Sequence, residues 1–277
     1  MAIITGKNAI IDGAAGVGFW KIDYSSSDAA VVHSGTEGAA VRVAGNLDWR
    51  GVYQSYGHTP QAMPGGALSF VGEASDDSGA SGTAIVERVD IHWDIAEARP
   101  IYHNVHFAAN GALAFHSSTE SPTAATYAAP VPSKAMLTKW GVSTVPNVTK
   151  MMLTLVSKNA PYVDSSTAGQ VQRIAGNTDV FWMYRRNLDD PTTLPTMDAI
   201  AQLQFFVNAT YYWDIQDAIV KRITPIYEIE GGKDKQLKVV AATVAGKLGI
   251  DPADATHEVI SPATAAVAGT NFIDFTD

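Results

Sequence analysis

The sequence predicts a mainly β protein made of two tandem β domains with a short helix. Three observations carry this: motifs that return in the same order along the chain, two long stretches of apolar–polar alternation, and few helix signals. The recurring motifs are Lys7-Asn8-Ala9 with Lys158-Asn159-Ala160, and Ala44-Gly45-Asn46-Leu47-Asp48 with Ala175-Gly176-Asn177-Thr178-Asp179. Trp93-Asp94-Ile95 pairs with Trp213-Asp214-Ile215, and Pro100-Ile101-Tyr102 with Pro225-Ile226-Tyr227. Any one triplet recurs by chance in an alanine-rich β sequence. A conserved order of four favours a tandem duplication. The boundaries that follow are a first domain at residues 1–118, a linker and start of the second repeat at 119–150, and a second domain with a C-terminal arm at 151–277.

Taken in order, Gly13 to Gly18 reads as a turn, because the glycine-rich segment lacks the terminal Lys-Ser/Thr of a phosphate loop. Residues 73–82 read as a flexible loop. From Ile85 to Ile95, Ile85, Glu87, Val89, Ile91, Trp93 and Ile95 alternate with Val86, Arg88, Asp90, His92 and Asp94, the pattern of a half-buried strand. Asn110-Gly111 predicts a hairpin turn before Ala112 to Phe115. Residues 117–134, rich in Ser, Thr, Ala and Pro, read as a linker. Leu203 to Ile215 alternates like the first long stretch, so Trp93 and Trp213 are expected at equivalent places in two superposable domains. Gly231 to Asp234 predicts a second hairpin turn, between Ile226–Ile229 and Leu237–Val240. Asp251 before Pro252 looks like an N-cap, which makes residues 252–259 the expected short helix. Residues 261–277 read as a docking arm, with Phe272, Ile273 and Phe275 as its apolar contacts.

Composition narrows the function classes. With 46% hydrophobic and 17% charged residues the chain can bury enough apolar surface to fold. It has no cysteine, which excludes disulfides, thiolate metal sites and cysteine nucleophiles. No apolar stretch reaches the roughly 18–20 residues of a membrane helix, and the N-terminus lacks a signal-peptide layout, so a soluble protein made in the cytosol is expected. The net charge of −9, of which −6 falls in residues 1–118, argues against a surface that grips nucleic acid.

Catalytic constellations are sparse. His92, His103, His106 and His116 lie close in sequence, but His103 and His106 point to opposite faces of a strand. Surface or interface histidines are therefore expected, and not ligands. Asp76-Asp77 and Asp189-Asp190 sit in polar, loop-like stretches. Tyr211, Tyr212 and Trp213 fit core packing or a subunit interface better than base stacking, given so few interleaved cations. There is no Gly-x-Ser-x-Gly elbow. No catalytic residue, no metal site and no cofactor is expected, and no enzymatic activity.

Several segments resemble the tail tube proteins of tailed bacteriophages. They are Met1-Ala-Ile-Ile-Thr-Gly-Lys-Asn-Ala9, Gly45-Asn46-Leu47-Asp48-Trp49-Arg50-Gly51, Ser81-Gly82-Thr83-Ala84-Ile85-Val86, Trp93-Asp94-Ile95 and Asn110-Gly111-Ala112-Leu113. The likeness covers residues 1–115 and reaches residues 158–245 only through the internal repeat. It implies two tandem tail-tube-like β-sandwich or barrel domains, each of packed antiparallel sheets with a short helix, rings that close edge to edge, and rings stacked into a tube. Two tube-like domains per chain imply three chains per ring with pseudo-sixfold symmetry. It further implies a virion protein of the phage tail, partnered by itself and other tail proteins. Its acidic lumen would conduct DNA without binding it specifically, and no membrane is involved. Residues 73–82 and 261–277 are the expected stacking elements. A capsid decoration or cement protein is the alternative, and an enzyme or ligand-binding sandwich the third reading.

Overall fold

The computed structural model describes residues 10–11, 14, 16–37, 39–57, 60, 62–73, 78–116, 133, 137–187, 196–206, 212–226, 236–243, 247–251 and 272–274. The fold is mainly β. Its strands are β1 (Ile10–Ile11), β2 (Val17–Val31), β3 (Val41–Tyr56), β4 (Ala67–Glu73), β5 (Gly79–Asp94) and β6 (Tyr102–His116). They continue with β7 (Leu137–Trp140), β8 (Ser143–Val145), β9 (Val148–Ser157), β10 (Ala160–Tyr162), β11 (Gln172–Ile174) and β12 (Thr178–Asn187). The last are β13 (Ile200–Phe206), β14 (Tyr212–Ile226), β15 (Gln236–Thr243), β16 (Lys247–Asp251) and β17 (Phe272–Asp274). Among the described residues the single turn Ser34–Thr36 is the one helical segment. The expected helix at 252–259 lies outside the described residues, as do Asp76-Asp77, Asp189-Asp190 and nearly all of the 117–134 linker.

The chain forms two compact units. One comprises Met1–Val89, Asn104–Ala128 and Ser157–Gly176, the other Asp90–His103, Ala129–Val156 and Asn177–Asp277. They are not the continuous halves 1–118 and 151–277 expected from sequence. The ends of β5 and β6 belong to the second unit, and the segment Ser157–Gly176 belongs to the first.

Strand order repeats. The first six strands lie in the order β2-β3-β6-β5, with β4 beside β5 and β1 beside β4. In the second set the order is β9-β12-β15-β14-β13-β7. Taking β7, β9, β12, β13, β14 and β15 as the counterparts of β1 to β6 makes the two orders identical. The chain positions agree as well. A shift of 131 carries Val17, the start of β2, onto Val148, the start of β9, and Tyr56, the end of β3, onto Asn187, the end of β12. A shift of 133 carries Ala67–Glu73 onto Ile200–Phe206.

This correspondence keeps one of the four sequence motif pairs, Ala44-Gly45-Asn46 with Ala175-Gly176-Asn177. It overturns the equivalence of Trp93 and Trp213: Trp93 is next to last in β5, whereas Trp213 is second in β14, and both belong to the second unit. Pro225 lies inside β14 while Pro100 precedes β6. Short apolar motifs mark strands in general, so they align the wrong turns of the repeat.

Two further expectations change. The alternating stretch Leu203 to Ile215 is not one strand but the antiparallel pair β13 and β14, with Leu203 opposite Ile215 and Phe205 opposite Trp213. Odd residues pair with odd ones, so all four stay on one buried face and the alternation survives the fold-back. Asn110-Gly111 makes no hairpin. β6 runs through it, with Gly111 at φ 142°, a conformation that favours glycine. Gly79 to Gly82, placed in a loop from sequence, opens β5. The second hairpin is present as β14 against β15, with its turn outside the described residues.

Each unit has its own aromatic core. In the first, Phe70 stacks on Phe107 at 4.9 Å, and Trp49 and Tyr53 close on Phe107 at 5.9 and 6.1 Å. The Trp49 indole N–H donates to the Gly111 carbonyl at 3.0 Å, which satisfies the polar edge of a buried ring. In the second, Phe205 meets Trp93 at 4.6 Å and Trp182 at 4.5 Å, both edge to face. Full burial of such side chains contributes about 1.5–3 kcal/mol each.

Candidate functional site

The strand-order repeat also extends to two arms, and they differ in one respect. The first arm is the distal part of the β2–β3 hairpin. Both strands are exposed on both faces from Asp23 to Val31 and from Val41 to Asn46. The second arm is Ser157–Gly176, carrying the β10–β11 pair.

Their tips are built alike. In the first, the Gly35 N–H donates to His33 Nδ1 at 3.0 Å, the Thr36 hydroxyl donates to the His33 carbonyl at 2.8 Å, and the His33 N–H donates to Thr36 Oγ1 at 3.1 Å. In the second, the Ser166 N–H donates to Asp164 Oδ1 at 2.8 Å, the Thr167 hydroxyl to the Asp164 carbonyl at 2.9 Å, and the Asp164 N–H to Thr167 Oγ1 at 3.2 Å. The next residue turns left-handed in both, Glu37 and Ala168, each at φ 48°. The shift is again 131. These are capped turns in which a side chain, the His33 imidazole or the Asp164 carboxylate, substitutes for a backbone acceptor. The Ser166 hydrogen bonds hold the Asp164 carboxyl below its ordinary pKa.

Their bases match too. A Cβ at Gly45 would lie 2.3 Å from the Ser27 carbonyl oxygen, and a Cβ at Gly176 1.7 Å from that of Lys158. Both glycines permit the same close crossing of the two arm strands, which explains the shared Ala-Gly-Asn.

The arms differ in what they touch. The second is seated within the first unit. The Leu47 N–H donates to the Gly169 carbonyl at 2.8 Å and the Val171 N–H to the Leu47 carbonyl at 3.0 Å, a short parallel bridge. Arg173, its side chain 1% exposed, grips Asp48 with two nitrogens at 2.9 and 2.8 Å, donates to the Ala109 carbonyl at 2.8 Å and faces Glu87 at 3.5 Å. The Arg173 N–H donates to Asn110 Oδ1 at 2.9 Å, and Asn159 Nδ2 donates to the Val86 carbonyl at 3.1 Å. A forked guanidinium against a carboxylate fixes orientation as well as energy. The first arm has two exposed ion pairs, Lys21 with Asp23 and Arg42 with Asp28, and an edge-to-face contact of Tyr24 with Phe115 at 6.1 Å near its base, and it displays Val31, Val32, Val41 and Val43, which are 44–60% exposed.

None of these arm residues was singled out for chemistry in the sequence. The signal was present: Ala-Gly-Asn is preceded two residues earlier by Arg42 or Arg173 and followed two residues later by Asp48 or Asp179. The histidines disperse. His92 stacks on Tyr102 at 4.7 Å, and His106 is half-buried. His103 is buried at 2% exposure, where a surface or interface position was expected, because its face of β6 turns into the core. Among the described residues no group of three or more His, Asp or Glu could hold a metal ion. Trp213 is buried, with no face open to a base. Of the expected stacking elements, Glu73 ends β4, Gly79–Gly82 begin β5, and Phe272–Asp274 form β17 against β16. The rest of 261–277 lies outside the described residues. No protein-family model matches the sequence, and no curated protein matches it.

Proposed function

We propose that this chain is a structural protein that self-associates, as the building block of a phage tail tube: stacked rings, each of three chains, around an acidic channel for genome passage. The observation that carries the reading is the twofold use of one strand order together with an arm built to sit on a neighbouring β surface. Repeating a module that carries both a docking arm and a receiving face gives head-to-tail contacts, which close into rings when the rotation per step divides a full turn. An acidic protein around a channel repels DNA phosphates, which favours passage over binding. The sequence resemblance supplies the particular assembly. In the virion the partners are further copies and other tail proteins.

Native mass spectrometry of the purified full-length chain tests the stoichiometry. Trimers and multiples of trimers support the reading. A ring of six chains removes the threefold arrangement. Isolated trimers that bind capsid shells and never stack favour a decoration protein.

A further inference from the structure

We infer that the first arm docks on a second copy of this chain, with Arg42 of one copy against Asp179 of the other. The basis is the internal equivalence of the two arms. A shift of 131 carries Arg42 onto Arg173, and the same shift carries Asp48 onto Asp179. The tip turns, the left-handed residues Glu37 and Ala168, and the crossing glycines Gly45 and Gly176 follow the same shift. Arg173 on Asp48 is therefore one instance of an interaction for which the chain carries two sets of parts. In the described structure only one set is assembled.

The other set is left open in the way a docking pair should be. Arg42 is 69% exposed and held by Asp28 alone, a surface pair worth about 0–1 kcal/mol. Asp179 is half-exposed at the start of β12. Its Oδ1 accepts from the Val180 N–H at 2.9 Å, and among the described residues it has no ion pair. Val31, Val41 and Val43 lie on one face of the hairpin, with Val31 opposite Val41, and together with Val32 they are 44–60% exposed, the kind of apolar patch that marks an interface.

A second copy is the occupant that these facts select, because the strand order that presents Asp48 to Arg173 is repeated around Asp179. One difference tunes the contact. On the sequence register Ala84-Ile85-Val86-Glu87 to Ala218-Ile219-Val220-Lys221, Glu87 is replaced by Lys221. The docked Arg42 gains one carboxylate where Arg173 has two, so the contact between copies is weaker and more sensitive to salt than the one within the chain.

The inference deepens the self-association reading, but it can fail separately. Sedimentation velocity of the full-length chain compares wild type, Arg42→Glu, Asp179→Arg and the double variant. The expected result is association weakened on the order of tenfold or more in each single variant, from like charges brought together, and restored in the double variant. Single variants that associate like wild type overturn the arm contact and leave the tube reading standing. A wild-type chain that stays monomeric at every concentration overturns both. Since the chain has no cysteine, a second measurement is independent of variant stability. An Arg42→Cys chain and an Asp179→Cys chain are mixed with a short bis-maleimide. A crosslinked dimer that forms only in the mixture supports the contact. No product, or dimers from either chain alone, contradicts it.

Discussion

Replacing Asp48 with alanine isolates the grip on the seated arm. The change leaves the Arg173 guanidinium, 1% exposed, with Glu87 at 3.5 Å and the Ala109 carbonyl at 2.8 Å. Breaking a buried ion pair by removing one partner costs about 3–5 kcal/mol. Asp48 is 29% exposed and Glu87 remains, so a discounted cost of about 2–3 kcal/mol is expected. At roughly 2–4 °C per kcal/mol for a domain of 150–250 residues, that is a melting shift of about 4–12 °C. Calorimetry reads the shift. Amide exchange at Leu47 and Val171 reads release of the arm, because their N–H groups make the bridge to it. Lys21→Ala is the control: it breaks only the exposed pair with Asp23 and is expected to cost about 1 kcal/mol or less. An Asp48→Ala chain that melts with wild type and keeps both amides protected would refute the argument.

Other consequences are open to test. Gly176→Ala drives a methyl group into the Lys158 carbonyl and Gly45→Ala into that of Ser27, so both variants should melt lower than wild type, Gly176→Ala more so. Trp93→Ala empties the core shared with Trp182 and Phe205 and should cost about 3–5 kcal/mol by denaturant titration. Burial pushes the Tyr184 phenol up to about 12 from 10.0 and raises that of Tyr53 as well, again 131 residues apart. The folded state keeps protons that the unfolded state loses first, so stability is full below pH 10 and falls as pH rises from 10 toward 12. Tyr184→Phe should flatten that alkaline slope, and an unchanged slope would count against it. Deleting residues 261–277 should leave soluble rings or single chains that polymerise poorly, as judged by light scattering.

The sequence was most legible where one residue's chemistry dictates local geometry. The alternating stretch from Ile85 to Asp94 lies in β5, although Val86 and Asp90 of its polar row are buried as well, and the repeat at Ala-Gly-Asn is real because only glycine fits the crossing against Ser27 or Lys158. It was least legible where tertiary contacts decide. Asn110-Gly111 has the chemistry of a tight turn, but Asn110 serves to receive the Arg173 N–H and Gly111 to offer its carbonyl to Trp49, and the strand continues. Trp93 and Trp213 share a motif yet occupy opposite ends of counterpart strands, since period-2 patterning fixes a face and not a position along it. The repeated Arg-x-Ala-Gly-Asn-x-Asp marks both ends of the grip, but which Arg meets which Asp is set by tertiary structure, since Asp48 lies 125 residues from Arg173.

Self-assembly is the central claim, and electron microscopy of the purified full-length chain tests it most directly. The account predicts hollow filaments of stacked rings whose end-on averages show six similar lobes from three chains. Isolated particles of one chain, or compact trimers that never stack, would contradict it.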